Sequence, residues 1–290
     1  MKSNAAYLTM LVLLCFQTAS RSEQTVLKDL EYARIGENSL KLDLHRCGEQ
    51  KGPLLLWVHG GAWKSGSKSS MPLPELVCAG YPVASVDYRL SPVAKFPAQI
   101  HDLKAAVRFL RARGNEHGID ARVIVVAGDS AGGHLAALVG VSNGERNLEG
   151  EIGLHLDQSS DVQGIISLYG AANLTTILSQ STPHGLKVRV PALDLLLGGQ
   201  PDALPELAQL ASPVFHVDNN DPALLLLHGD QDPQMPINQA HELHGAYKKA
   251  GAKVQFEVVH GGAHGGKVFY DAERLEIVKR FLAMNFRIKG

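Results

Sequence analysis

Six short apolar runs, at residues 54–58, 82–86, 123–127, 162–169, 223–227 and 254–259, recur along this chain without polar alternation. A strand with one wet face alternates apolar and polar residues. An unbroken apolar run of this length suits a strand buried on both faces of a parallel sheet. Parallel strands cannot be joined by tight turns, so the segments between them must cross over, usually as helices. Leu103, Ala106, Val107 and Leu110 have the spacing of one helix face, and so do Leu275, Val278, Leu282 and Phe286. Leu40, Leu42 and Leu44 alternate with polar residues, as in a half-exposed early strand. These patterns predict an α/β fold: a doubly wound, mostly parallel central sheet with helices on both faces. Two polar, proline-containing stretches, 142–161 and 173–221, break the rhythm, and the second is expected to form a small cap or lid over the site. Without internal repeats or a low-complexity linker, residues 23–290 are expected to form one domain.

The start of the chain stands apart from this pattern. Lys2, an apolar run at 7–16 and the small residues Thr18-Ala19-Ser20 have the layout of a secretory signal peptide, placed at residues 1–22. The run is short for a bilayer span, so no stable membrane insertion is expected after cleavage. Cys15 lacks the small residue that a bacterial lipoprotein signal places before its cysteine. The mature protein is therefore expected to be secreted or periplasmic. There it keeps Cys47 and Cys78, too few to signal a disulfide framework, and separate thiols are expected. With 28 Lys+Arg against 29 Asp+Glu, no basic footprint for nucleic acid is present. The charge balance suits a neutral small-molecule substrate and leaves the oligomeric state open.

Chemistry concentrates at the ends of the apolar runs. Gly128-Asp129-Ser130-Ala131-Gly132-Gly133 follows one run directly and precedes a helical segment at 134–141. A serine at such a strand-to-helix turn sits on a strained backbone with its hydroxyl pointing out of the sheet. Gly128 and Gly132 leave room for so sharp a turn. A serine hydroxyl needs a base, and the base needs a carboxylate to fix its tautomer. In this arrangement the acid and then the histidine follow the serine along the chain. The run at 223–227 leads into His228-Gly229-Asp230-Gln231-Asp232-Pro233, and that at 254–259 into His260-Gly261-Gly262-Ala263-His264-Gly265-Gly266. Ser130, Asp232 and His264 are the expected triad. Asp230 is read as a turn-former able to exchange roles with Asp232, and His260 as packed or half-exposed. An oxyanion needs donors. The run at 54–58 ends in His59-Gly60-Gly61-Ala62-Trp63, and the N–H groups of Gly61 and Ala62 are expected to join that of Ala131.

With these segments in order, the chain resembles the esterase/lipase branch of the α/β-hydrolase fold. It lies near the acetylxylan/feruloyl (BD-FAE-like) group and the hormone-sensitive-lipase-like carboxylesterases. The matching pieces are His59 to Trp63, Asp87-Tyr88-Arg89-Leu90, Phe96-Pro97-Ala98 with Asp102, Gly128 to Gly133, Asp232 and His264. The resemblance implies a Ser–His–Asp triad, no cofactor, and hydrolysis of carboxylic esters through an acyl-enzyme. Ala62 stands where many relatives carry a third glycine, and Gly265-Gly266 follows His264 where the hormone-sensitive-lipase-like branch has Gly-Phe. Both departures point toward the acetylxylan/feruloyl group, whose substrates are short acyl or aryl esters on sugars.

Other features carry less. His241 and His244 lack the two-His spacing of zinc proteases, and no metal site is expected. Asn173-Leu174-Thr175 fits an N-glycosylation acceptor near the site mouth. Trp63 is expected beside the acyl or alcohol pocket as a substrate-binding residue, with packing as its competing role. Asp87 and Arg89 are expected to pair and brace the oxyanion segment. A peptidase or amidase on the same fold, and a non-catalytic binding protein on this scaffold, are the competing functions. A long amphipathic lid of the interfacial lipase kind is not visible.

Overall fold

The structure, a computed structural model, describes residues 23–286. The expected signal peptide at 1–22 lies outside the described residues. Eight strands form one sheet: β1 Gln24–Ile35, β2 Asn38–Cys47, β3 Leu54–Val58, β4 Val83–Val86, β5 Ile124–Asp129, β6 Gly164–Leu168, β7 Ala223–Gly229 and β8 Val254–Val259. Their order is β1-β2-β4-β3-β5-β6-β7-β8. β2 runs antiparallel to β1 and β4, and every pair from β4 to β8 is parallel. Five longer helices pack on this sheet: α1 Ala98–Arg113, α2 Ala131–Val141, α3 Pro183–Leu197, α4 Asn238–Ala250 and α5 Ala272–Asn285.

The unbroken apolar runs have the expected cause. Leu54, Leu56 and Val58 of β3 point into one core, shared with Leu103, Val107 and Leu110 of α1 and Leu135 and Leu138 of α2. Leu55 and Trp57 point into a second core, with Leu275, Val278 and Leu282 of α5. Successive side chains of a strand leave opposite faces, so a strand covered on both sides must be apolar throughout. Each fully buried leucine contributes about 1.5–3 kcal/mol relative to exposure.

Three elements depart from expectation. The sequence pattern does not announce β1, because two register shifts against β2, between Leu27 and Leu30 and between Glu31 and Ala33, interrupt its alternation. β8 lies at the sheet edge, and most of its residues are only half-buried. The third is the segment 173–221, expected as a cap or lid. Its Leu174, Ile177, Leu193, Leu196, Ala208 and Ala211 are buried in the first core, so it forms a wall of the domain. Its longest helix, α3, begins at Thr182, whose Oγ1 accepts the Gly185 N–H at 3.0 Å, and tolerates Pro191 in its interior. That proline obscures the helical pattern in the sequence. Among the described residues no helix is long and apolar enough to cross a membrane.

Candidate active site

The turn between β5 and α2 is built on two glycines. A Cβ on Gly128 would lie 2.4 Å from the Gly132 carbonyl oxygen, and one on Gly132 would lie 2.0 Å from that of Val58. No side chain fits at either position. Ser130, between them, has φ 51°, a left-handed conformation costly for a residue with a Cβ. Its N–H is held by the Leu168 carbonyl at 2.9 Å. The strain turns the hydroxyl toward the loop after β8, where Ser130 Oγ lies 2.9 Å from His264 Nε2. His264 Nδ1 lies 2.6 Å from Asp232 Oδ2. An ionised carboxylate only accepts, so Nδ1 carries the proton and Nε2 presents a lone pair to the serine hydroxyl.

Asp232 is fixed in turn. Its Oδ1 accepts the N–H groups of Gln234 and Met235, each at 2.8 Å. Burial alone would raise its carboxyl. The contacts from His228 and His264, the charge of His264 and the Met235 N–H outweigh burial and hold it well below the usual carboxylate range. Asp230 does not share this position: it pairs with His260 at 2.9 Å, on the surface, where His260 is 86% exposed. Of the two acids open to the sequence reading, only Asp232 reaches His264.

Opposite the histidine, the segment after β3 doubles back. Gly61, Ala62 and Trp63 have φ of 109°, 52° and 59°. The Gly61 carbonyl accepts from the N–H groups of Lys64 and Ser65, both at 3.1 Å. The N–H groups of Gly61, Ala62 and Ala131 have no acceptor among the described residues. Gly61 and Ala62 line the same cleft as Ser130, and Ala131 directly follows the serine at the start of α2. Asp129, not singled out in the sequence, secures this segment. Its Oδ1 accepts the Gly60 N–H at 2.7 Å and its Oδ2 the Tyr169 hydroxyl at 3.2 Å. Tyr169 packs edge-on against His264 at 5.0 Å and meets the Tyr270 hydroxyl at 3.0 Å. Burial raises the Asp129 carboxyl above its ordinary range, opposed by the Gly60 and Tyr169 hydrogen bonds. Its position directly before the serine is the available signal.

Trp63 requires correction. It is fully buried and contributes nothing to the cleft. Its indole points into the core because the left-handed backbone at Ala62 and Trp63 reverses the direction that an extended segment would give. The expected Asp87–Arg89 pair is also replaced. Arg89 binds Asp102, a fully buried residue of α1, through its N–H at 2.8 Å and its Nη2 at 2.7 Å. Asp87 instead accepts the Lys68 N–H at 2.7 Å. Asn173 is buried, its amide donating to Glu242 at 2.6 Å and its Oδ1 accepting from Thr175. The glycosylation sequence is thus folded inward, away from the cleft. His241 and His244 pack against Phe256.

Ser130 and His264 open into a cleft of about 1250 Å³. One wall comes from residues 59–75, including Ala62, Ser69 and Met71, and the other from residues 264–271, including Lys267 and Tyr270. The segment 173–221 contributes none of the lining residues.

Comparison with known proteins places this geometry in context. The family model BD-FAE matches residues 40–247. The chain is similar to the esterase LipC of Mycobacterium tuberculosis, 34% identical over 191 residues, which are 65% of this chain and 46% of that protein. It is similar to the esterase LipQ of the same organism, 31% identical over 234 residues, 77% of this chain and 53% of that protein. The chain spans about half the length of the curated relatives it matches. A solved structure described as a truncated form of a carbohydrate esterase from gut microbiota superimposes with a TM-score of 0.80 at 30% identity. The match covers 92% of this chain and 98% of that one.

Proposed function

The chain belongs to the BD-FAE family, of α/β-hydrolase fold, and from that premise we propose that it is a serine carboxylesterase acting on small carboxylic esters. The observation that carries this reading is the unbroken contact from Asp232 through His264 to Ser130, at 2.6 and 2.9 Å.

In this reading, His264 Nε2 takes the Ser130 proton as Oγ bonds to the ester carbonyl carbon. The carbonyl oxygen becomes an oxyanion and is held by the N–H groups of Gly61, Ala62 and Ala131. Asp232 steadies the imidazolium. His264 then returns the proton to the alkoxide as the ester C–O bond breaks, and the alcohol leaves. Water, deprotonated by His264, attacks the acyl-enzyme, and Ser130 regains its proton as the acid departs. The cleft combines Tyr270 and Met71 with Ser69 and Lys267, a mixture of apolar and polar groups suited to a sugar bearing a short acyl or aryl ester. Similarity to a carbohydrate esterase supports this finer reading. The apolar start of the chain supports export as its setting.

The test compares nitrophenyl esters of graded acyl length, with a nitroanilide alongside, for the wild type and Ser130→Ala. Short esters should turn over, the anilide should not, and the variant should lose turnover by on the order of 10⁶-fold. Undiminished turnover by Ser130→Ala would sink the mechanism. Anilide turnover rivalling the esters would make the protein an amidase, and no ester turnover by the wild type would make it a binding protein.

A further inference from the structure

We propose that Trp63 and His134 form a positioning pair that fastens the oxyanion segment to the helix carrying the nucleophile. The inference rests on reading Gly61 and Ala62 as oxyanion donors.

The observation to be explained is two consecutive residues with side chains, Ala62 and Trp63, in the left-handed region. Each such residue costs on the order of 1–3 kcal/mol and persists only where its surroundings over-determine it. The backbone around them is partly held, since the Trp63 carbonyl accepts the Ser91 N–H at 2.8 Å. The indole supplies the rest. It stands perpendicular to the His134 ring, with centroids 5.3 Å apart, and its Nε1–H donates to His134 Nδ1 at 3.1 Å. His134 lies one helical turn beyond Ser130, and both rings are fully buried.

The tautomer of His134 follows from its two partners. Its Nε2 lies 2.7 Å from the Ala211 carbonyl, which can only accept, so Nε2 carries the proton. Nδ1 is then a lone pair, the only arrangement that an indole N–H can use. Burial pushes the imidazole down to about 4, against the Ala211 hydrogen bond and with help from the charge of Arg189, so it stays neutral at ordinary pH. The Arg189 guanidinium lies 6.0 Å from the indole ring, and its Nη1 and Nη2 have no hydrogen-bond partner among the described residues. Its charge therefore lies over the aromatic ring.

Any large apolar side chain could fill this volume. A donor matched to an acceptor of forced tautomer does more, because it fixes direction. The N–H groups of Gly61 and Ala62 belong to one segment, and the Ser130 hydroxyl and the Ala131 N–H to another. A misplacement of about 1 Å between such groups costs on the order of a hundredfold in rate. Together with the hydrogen bond from Gly60 to Asp129, the Trp63–His134 bond is a side-chain link that sets their register.

The experiment measures kcat, KM, inhibition by trifluoroacetone and thermal midpoint for Trp63→Phe, His134→Leu, their double variant and His134→Gln. Trifluoroacetone adds to the serine hydroxyl and places its negative oxygen where the ester oxyanion would sit. Trp63→Phe and His134→Leu should each lower kcat by roughly ten- to a hundredfold, with KM within about threefold and trifluoroacetone affinity falling in parallel. The double variant should be no worse than the poorer single one, because both remove the same bond. A glutamine amide in place of the imidazole can accept from the indole and donate to Ala211, so His134→Gln should recover most of what His134→Leu loses. A lowered midpoint with unchanged kcat would overturn the proposal, as would a rise in KM alone or a His134→Gln enzyme as impaired as His134→Leu. If His134→Leu does not fold, Trp63→Phe against His134→Gln still decides. Ser130→Ala assayed alongside separates the two claims: turnover surviving in it defeats the catalytic reading itself, whatever the Trp63 variants show.

Discussion

In the proposed mechanism, a few tenths of an ångström at Ser130, Asp232 and His264 decide whether a proton can move. These residues are legible in the sequence because each sits where an apolar run stops, and a polar side chain at the end of a buried strand has few structural reasons to be there. The choice between Asp230 and Asp232 is not legible, because both follow β7 within three residues. It is settled by the tight turn in which Gln234 and Met235 bind Asp232 Oδ1 and aim Oδ2 at His264. Asp232→Asn should therefore lower kcat by on the order of 10⁴-fold, through loss of the correct histidine tautomer. Asp230→Asn, which breaks only an exposed pair with His260, should leave turnover within about twofold. Initial rates on one nitrophenyl ester check both, and equal losses would return Asp230 to the site. Trp63 misleads for a physical reason. A sequence suggests side-chain direction as for an extended segment, and two left-handed residues in succession invalidate that inference.

Among the elements, the strands buried on both faces, the alternating β2 and the helices α1, α2 and α5 announce themselves in the sequence. β1 hides its alternation behind two register shifts, and α3 hides its period behind Pro191 and the buried Arg189. The connection after β4 is readable only in part. Its Asp87-Tyr88-Arg89 stands out, but the partner of Arg89 cannot be known without the packing of α1. Asp102 is fully buried and receives three different nitrogen atoms of Arg89, namely N, Nε and Nη2. Removing the Asp102 carboxylate leaves the half-buried Arg89 guanidinium without its counter-ion. Asp102→Ala should lower the unfolding free energy by about 3–5 kcal/mol, measured as a shift of the urea midpoint at unchanged slope. A loss under about 1 kcal/mol would mean that α1 docks through its apolar face alone.

For the molecule as a whole, acidity should act on stability through groups that do not line the cleft. His134 has its folded value pushed from 6.5 down to about 4, so between those values the unfolded chain binds a proton that the folded one refuses. Its contribution is complete above pH 6.5 and is lost as pH falls toward 4. Asp221, pushed up to about 7 by burial and the Asp218 charge against the Asp218 N–H hydrogen bond, works in the opposite direction: it contributes at low pH and loses that contribution as pH rises toward 7. The wild-type slope is thus blunted, and the histidine is best isolated by difference. Between pH 7 and pH 5 the wild type should lose about 2 kcal/mol more than His134→Gln in urea unfolding. An identical loss in the two proteins would show that His134 is not refusing the proton. The sheet order has a further consequence in time. Ser130 and His264 are 134 positions apart, and their loops meet only after β5, β6, β7 and β8 have aligned side by side. A chain still emerging, or refolded only as far as β7, holds a strained serine with no base to wake it. If the chain hydrolyses esters as proposed, turnover would switch on late and all at once, making the first burst of product a clock for the completion of the last strand.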